Sequence, residues 1–194
     1  MTNTFLAMLF RMKYINRWGL MHNTIPENLA THTLETALTA HFLANIGNVY
    51  FNKNYDPSKL LTYALYHDAT EILTGDLPTP IKYYDDNIKQ AYKNIEQMAA
   101  NKILNTLPTE LMPMYQEFFT NNQLSIEEEK ILKSADKVCA YIKCCTEVNL
   151  ANKDFTSAHK SLKETVYNFD CRELKFFLEN YIDTFLKNLD DLGL

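Results

Sequence analysis

Between Ser125 and Leu150 the chain runs without a single glycine or proline, and the run opens on Ser125-Ile126-Glu127-Glu128. A serine N-cap with a glutamate three residues later is a capping box, in which each side chain satisfies a backbone N–H that the first helical turn leaves without a partner. The stretch is therefore predicted as one long helix ending near Leu150. Ile131, Ala135, Val138 and Ile142 fall on one stripe of it, with Leu132, Asp136, Cys139 and Lys143 alongside. Only 4 Gly and 6 Pro punctuate the 194 residues. Long helix-compatible runs between so few breakers favour an all-α fold over a turn-rich β architecture.

The remaining helices are predicted over Thr4 to Tyr14, about Glu27 to Asn48, Asp85 to Asn105, Pro108 to Phe119 with an interruption near Pro113, about Phe155 to Asn168, and Asp170 to Leu189. Their expected core faces are Leu34, Ala37, Leu38, His41 and Phe42; then Ile88, Ala91, Ile95, Met98, Ala99 and Leu104; and finally Leu174, Phe177, Leu178, Tyr181 and Phe185. His41 reads as a core histidine, whereas spacing leaves His32 undecided. The chain is expected to turn at Gly19.

A central helix begins at Asp56-Pro57, with aspartate as N-cap and proline at the first helical position. It is predicted to continue to Thr74, because Gly75 is a natural residue just past a helix end and Pro78 and Pro80 block continuation. Along it Leu61, Ala64, Leu65, Asp68 and Ile72 share one stripe, which puts an aspartate where a leucine is expected. A buried carboxylate needs a cation, hydrogen-bond donors or a metal. His67 adjoins it, and Glu71 is within side-chain reach of both.

One domain over residues 1–194 suits this length. Hydrophobic residues at 46% and charged residues at 22% describe a globular chain. A net charge of -5 gives no general attraction to nucleic acid or to an anionic membrane. Cys139, Cys144, Cys145 and Cys171 form no C-x-x-C pair, so disulfides are not expected. With no leader and no apolar run of bilayer length, the expectation is a soluble, cytoplasmic protein.

His32, His67, Asp68 and Asp136, on three separate helices, make a mixed nitrogen and oxygen donor set that suits a divalent first-row metal and does not single out zinc. Asp136 has apolar neighbours one turn away on each side; the alternative is a surface pair with Lys133 or Lys137. Arg17-Trp18 reads either as a helix-end arginine with a core tryptophan, or as a phosphate fork beside a flat apolar wall. Asp76 either caps a turn or contacts a substrate, and spacing does not separate the two.

Five stretches carry a family resemblance. They are Ile15-Asn16-Arg17-Trp18; Glu27-Asn28 leading to His32; Tyr66-His67-Asp68; Glu71-Ile72-Leu73-Thr74-Gly75-Asp76-Leu77-Pro78-Thr79-Pro80; and Ala135-Asp136 with Tyr141, Lys143 and Cys144. The pattern resembles the HD-domain metal-dependent phosphohydrolases, a helical-bundle family, and more closely their bacterial 5′-deoxynucleotidase branch. The resemblance implies that His32, His67, Asp68 and Asp136 hold one divalent ion (Co, Mn, Zn or similar) and that the substrate is a 2′-deoxynucleoside 5′-monophosphate. It further implies Glu71 as the residue that orients or deprotonates the attacking water, and Arg17 as a catalytic phosphate clamp. Trp18 would pack on the sugar, Asp76 would accept from the 3′-hydroxyl, and Leu77, Pro78 and Thr79 would close that side, with Asp68 and Asp136 also facing substrate. A homodimer is implied as well. Thr31 departs from the pattern, since many relatives carry an acid before the histidine, and its effect would fall on the support of His32. The rival readings are a phosphohydrolase of another nucleotide and a nucleotide-sensing module without turnover.

Overall fold

A computed structural model of the chain describes residues 3–82 and 84–193. Its helices are α1 (Phe5–Leu9), continued by a 3-10 turn over Phe10–Tyr14, α2 (Leu29–Phe51), α3 (Pro57–Tyr66), α4 (Glu71–Thr74), α5 (Thr79–Lys82), α6 (Asp86–Leu104), α7 (Met112–Phe119), α8 (Ile126–Asn149), α9 (Thr156–Tyr167) and α10 (Arg172–Asn180). Among the described residues there is no strand, only the isolated antiparallel bridge of Asn16 with Asn28. The all-α expectation stands.

Local signals mark the starts of α3, α6 and α8. Asp56 Oδ1 accepts from the N–H groups of Ser58 and Lys59 at the head of α3. Asp85 caps α6 through Ile88 N–H at 2.7 Å. The Ser125–Glu128 capping box is formed in both directions. Gly75, at φ 74°, ends α4 in a backbone conformation that a side chain would strain.

The chain divides into two compact units. The first comprises the N-terminal segment through His22, Pro26–Leu34 and Leu65–Gln123. Phe5, Ile103, Leu104 and Leu107 form one of its cores, with Tyr66, Tyr115 and Phe119 packed on them. Met12, Leu29 and Ile72 form another. The second unit comprises Asn23–Ile25, Glu35–Ala64 and the chain from Leu124 onward. Its core brings Ala37, Ala40, Leu43 and Ala44 of α2 against Ile131, Ala135 and Val138 of α8, and Leu174, Phe177 and Leu178 of α10.

Several predicted faces are rotated. On α2 Thr36, Ala37, Ala40, Leu43, Ala44, Ile46 and Gly47 are buried, while Leu34, Leu38, His41 and Phe42 are exposed. The small residues among them let neighbouring helices approach closely. His41 is thus no core residue; its carbonyl accepts from Asn45 Nδ2 at 2.8 Å. On α6 the buried side is Tyr92, Ala99, Ala100, Ile103 and Leu104. Ile88, Ala91, Ile95 and Met98 are exposed. The last predicted helix stops at Asn180 and continues as a 3-10 turn over Ile182–Leu186, which leaves Phe185 exposed and Tyr181 half-buried. All four cysteines are free thiols and buried.

Candidate active site

The predicted central helix does not run through. It stops at Tyr66, and α4 begins at Glu71 after four intervening residues. Across the break the chain uses short-range turns: Ala69 N–H to Tyr66 carbonyl at 3.0 Å and Glu71 N–H to Asp68 carbonyl at 2.9 Å. Consecutive residues on a regular α-helix diverge and do not face each other. The break lets the adjacent His67 and Asp68 converge, with Nε2 of the one 3.0 Å from Oδ2 of the other.

His32, in the first turn of α2, completes the group from the same unit. Its side chain is fully buried, and its Nε2 lies 3.8 Å from Asp68 Oδ2. One donor atom each from His32, His67 and Asp68 lies within 4.8 Å of the others. Two imidazoles and a carboxylate with converging atoms suit a divalent metal. Asp136, the other predicted ligand, sits half-buried on α8 in the second unit.

Glu27, to which sequence reasoning assigned no role, is the hub of this unit. It is nearly buried. Its Oε1 lies 3.3 Å from His32 Nδ1 and 3.2 Å from Arg17 Nε. Its Oε2 accepts from Trp18 Nε1 at 2.9 Å. Two backbone bonds hold the segments together, Arg17 N–H to Glu27 carbonyl at 3.0 Å and Leu29 N–H to Ile15 carbonyl at 2.8 Å. Burial raises the Glu27 carboxyl, but His32, Arg17 and Trp18 outweigh it and hold it below the usual carboxylate range. A carboxylate on Nδ1 fixes the imidazole tautomer and turns the Nε2 lone pair toward Asp68, the arrangement usual for metal-ligating histidines. The support of His32 therefore comes from Glu27, not from position 31: Thr31 is exposed and bonded to Asn28.

The chain turns at Gly19 as expected, with Met21 N–H bonded to the Trp18 carbonyl at 2.9 Å. Trp18, not Gly19, takes the left-handed backbone, at φ 59°. For a bulky residue this is strained and requires the surroundings to hold it. Arg17 reaches the other way as well, its Nη1 donating to Asp68 Oδ2 at 3.4 Å. Burial raises Asp68, yet His67, then His32 and Arg17, overcome that and keep it well below the ordinary carboxylate range.

Glu71, at the first position of α4, is buried. Burial first, and then the charges of Asp68 and Asp76, push its carboxyl up to about 8. Two neighbouring acids are thus driven apart, one held as the anion and one toward the protonated form, a pattern typical of acid–base sites. Asp76, Leu77 and Pro78 follow α4 and are half-buried. Helix α5 starts at Thr79, whose side chain lies outside the described residues. Beside His67 opens a cleft of about 350 Å³ lined by Tyr66, Thr70, Lys93, Glu96, Gln97 and Phe118 among others, within the size range of small-ligand sites.

Comparison with known proteins places this geometry in context. A family model described as 5′-deoxynucleotidase YfbR-like matches residues 4–185. A 5′-deoxynucleotidase of Erwinia tasmaniensis is 42% identical over 189 residues, covering 97% of this chain and 96% of that protein. Among solved structures, an HD-domain phosphohydrolase of Listeria innocua superposes with a TM-score of 0.83 at 21% identity, over 96% of this chain and 90% of that one. The HD phosphohydrolase of cyanophage S-2L, solved with dA and one catalytic Zn²⁺ ion, superposes with a TM-score of 0.61 at 20% identity, covering 92% and 96%. At these identities the structural likenesses establish an all-α HD-domain fold.

Proposed function

The chain belongs to the YfbR-like 5′-deoxynucleotidase family, and from that premise we propose how its residues carry out hydrolysis of 2′-deoxynucleoside 5′-monophosphates to deoxynucleoside and phosphate. The observation that supports the reading most is the convergence of His32, His67 and Asp68 next to a buried Glu71 whose carboxyl is pushed up to about 8. His32, His67 and Asp68 would hold one divalent ion, with Asp136 as the fourth ligand. The phage relative with its catalytic Zn²⁺ supports zinc as one candidate. When bound, such an ion polarises phosphoryl oxygens and makes a neighbouring water more acidic.

The chain's own groups do the rest. Glu71 accepts the proton of the attacking water or orients it, a role for which a carboxyl poised near neutrality is suited. Arg17 takes two phosphoryl oxygens with its planar guanidinium. Trp18 packs on the deoxyribose, Asp76 accepts from the 3′-hydroxyl, and Leu77, Pro78 and Thr79 shut out the 2′-hydroxyl of a ribonucleotide. Residues 1–194 work as one catalytic domain. We place the enzyme in the cytoplasm, which agrees with the absence, among the described residues, of any helix long and apolar enough to cross a membrane. We also propose a homodimer that binds neither nucleic acid polymer nor membrane; the exposed Phe185, Leu186 and Leu189 support a self-association surface.

The test is phosphate release from dAMP and AMP by metal-stripped protein, before and after adding Co²⁺, Mn²⁺, Mg²⁺ or Zn²⁺. Release from dAMP that needs a metal and greatly exceeds release from AMP is expected. No release with any metal rules out hydrolysis, and equal release from AMP rules out the deoxy selectivity. Asp136→Ala should weaken metal binding; unchanged metal content would return Asp136 to a surface role. Light scattering of the purified protein tests the dimer.

A further inference from the structure

One carboxylate in the first unit touches three groups with separate duties. Glu27 faces Nδ1 of a metal-ligand candidate, His32, at 3.3 Å. It faces Nε of the phosphate-binding candidate, Arg17, at 3.2 Å. It accepts from Nε1 of the sugar-packing candidate, Trp18, at 2.9 Å. Its two oxygens are shared unequally: Oε1 serves both His32 and Arg17, and Oε2 serves Trp18.

We infer that Glu27 is a positioning residue that couples occupancy of the metal site to the conformation of the Arg17-Trp18 arm. A metal-bound imidazole is a stronger N–H donor than a free one, and the outer carboxylate answers by orienting more tightly on it. Because Oε1 is shared, that tightening draws Arg17 with it. Because Trp18 stands in a strained left-handed backbone at φ 59°, its bond to Oε2 restrains it from relaxing to an ordinary conformation. Metal binding thus orders the substrate arm, and by linkage an ordered arm favours the metal.

This inference rests on the reading of His32, His67 and Asp68 as a metal site, and its test separates the two. Trp18 is the only tryptophan in the chain, so its emission reports the far end of the coupling without substrate or turnover. Metal-stripped wild-type protein is titrated with Zn²⁺, which does not quench, while affinity is measured separately by chelator competition. We expect the Trp18 emission to shift with the same midpoint as zinc binding. Glu27→Gln keeps an oxygen for Trp18 but lacks the charge shared by His32 and Arg17. It should bind zinc about 10–100-fold more weakly, as loss of a ligand's outer partner does, and show no emission shift at zinc saturation. A folded Glu27→Gln protein with wild-type zinc affinity and the wild-type shift overturns the coupling. If that variant fails to fold, the wild-type titration still decides: zinc that binds and leaves the Trp18 emission unchanged overturns it equally. Zinc that does not bind the wild type at all overturns the metal reading beneath it.

Discussion

Arg17 Nη1 donates to Asp68 Oδ2 at 3.4 Å, which sets the candidate phosphate clamp directly against a candidate metal ligand. Both side chains are largely buried. Arg17 adds to the larger effects of His67 and His32 in keeping Asp68 below the ordinary carboxylate range.

The consequence for Arg17→Ala is a split between two readouts. Removing a cation next to Asp68 should leave divalent-metal affinity intact or slightly increased. Loss of a preorganised phosphate contact should lower kcat/KM for dAMP by roughly 10²–10³-fold, as removal of a comparable catalytic donor does. Metal affinity by calorimetry and initial rates on the same preparation check this. An Arg17→Ala protein with unimpaired turnover would remove Arg17 from the substrate site.

A second outcome concerns pH and the metal-free protein. The Glu71 carboxyl is raised from 4.5 to about 8, by burial first and then by Asp68 and Asp76. A group whose pKa is higher folded than unfolded stabilises fully below its unfolded value, and that stabilisation is lost as pH rises through the folded value. Between pH 4.5 and 8 Glu71 therefore withdraws stability progressively. Glu71→Gln stays neutral throughout, so its urea midpoint relative to wild type should rise across this window and be nearly level with it at pH 4.5. A difference that does not change with pH would show that Glu71 is not the group responsible.

How much of this was legible beforehand varies by residue, and the reasons are physical. Asp56, Asp85, Ser125 with Glu128, and Gly75 act through bonds or torsions a few residues away, so local sequence carried them. Of the inner face of α2 only Ala37 was anticipated, because that helix is apolar on several sides and the buried side carries Ala40, Leu43, Ala44 and Ile46 instead of Leu34, Leu38 and Phe42. The break at Tyr66 carries no proline or glycine; its signal was the adjacency of His67 and Asp68 itself, since neighbours on a helix cannot share a site. Three members of the site, His32, His67 and Asp68, were named from pattern and do converge. Glu27 was quoted in the motif but given no role, because it was read as the start of the second helix, whereas it lies before Leu29 in an extended segment beside the Asn16–Asn28 pairing.

The close packing of α2 has its own test in the second unit. A Cβ built on Gly47 would stand 2.5 Å from Tyr55 Cε2 and 2.8 Å from its Cδ2. The Tyr55 ring has little freedom to retreat, because its backbone is bonded to Asn48 on both N–H and carbonyl and its hydroxyl donates to Glu173. Gly47→Ala should cost about 1–3 kcal/mol, the usual range for overpacking, and lower the melting temperature by several degrees while leaving the activity of the remaining folded protein unchanged. A thermal scan showing no loss would mean that Tyr55 moves aside.

The division of labour between holding the ion and activating water is most directly tested by measuring metal content and dAMP hydrolysis on one sample of Glu71→Gln. With His32, His67 and Asp68 intact, bound metal should stay near the wild-type level, while turnover should fall by about 10²–10⁴-fold, the range for losing a general base. Loss of the metal along with the activity would make Glu71 a ligand, and retained turnover would leave it no part in the chemistry; either result contradicts the account.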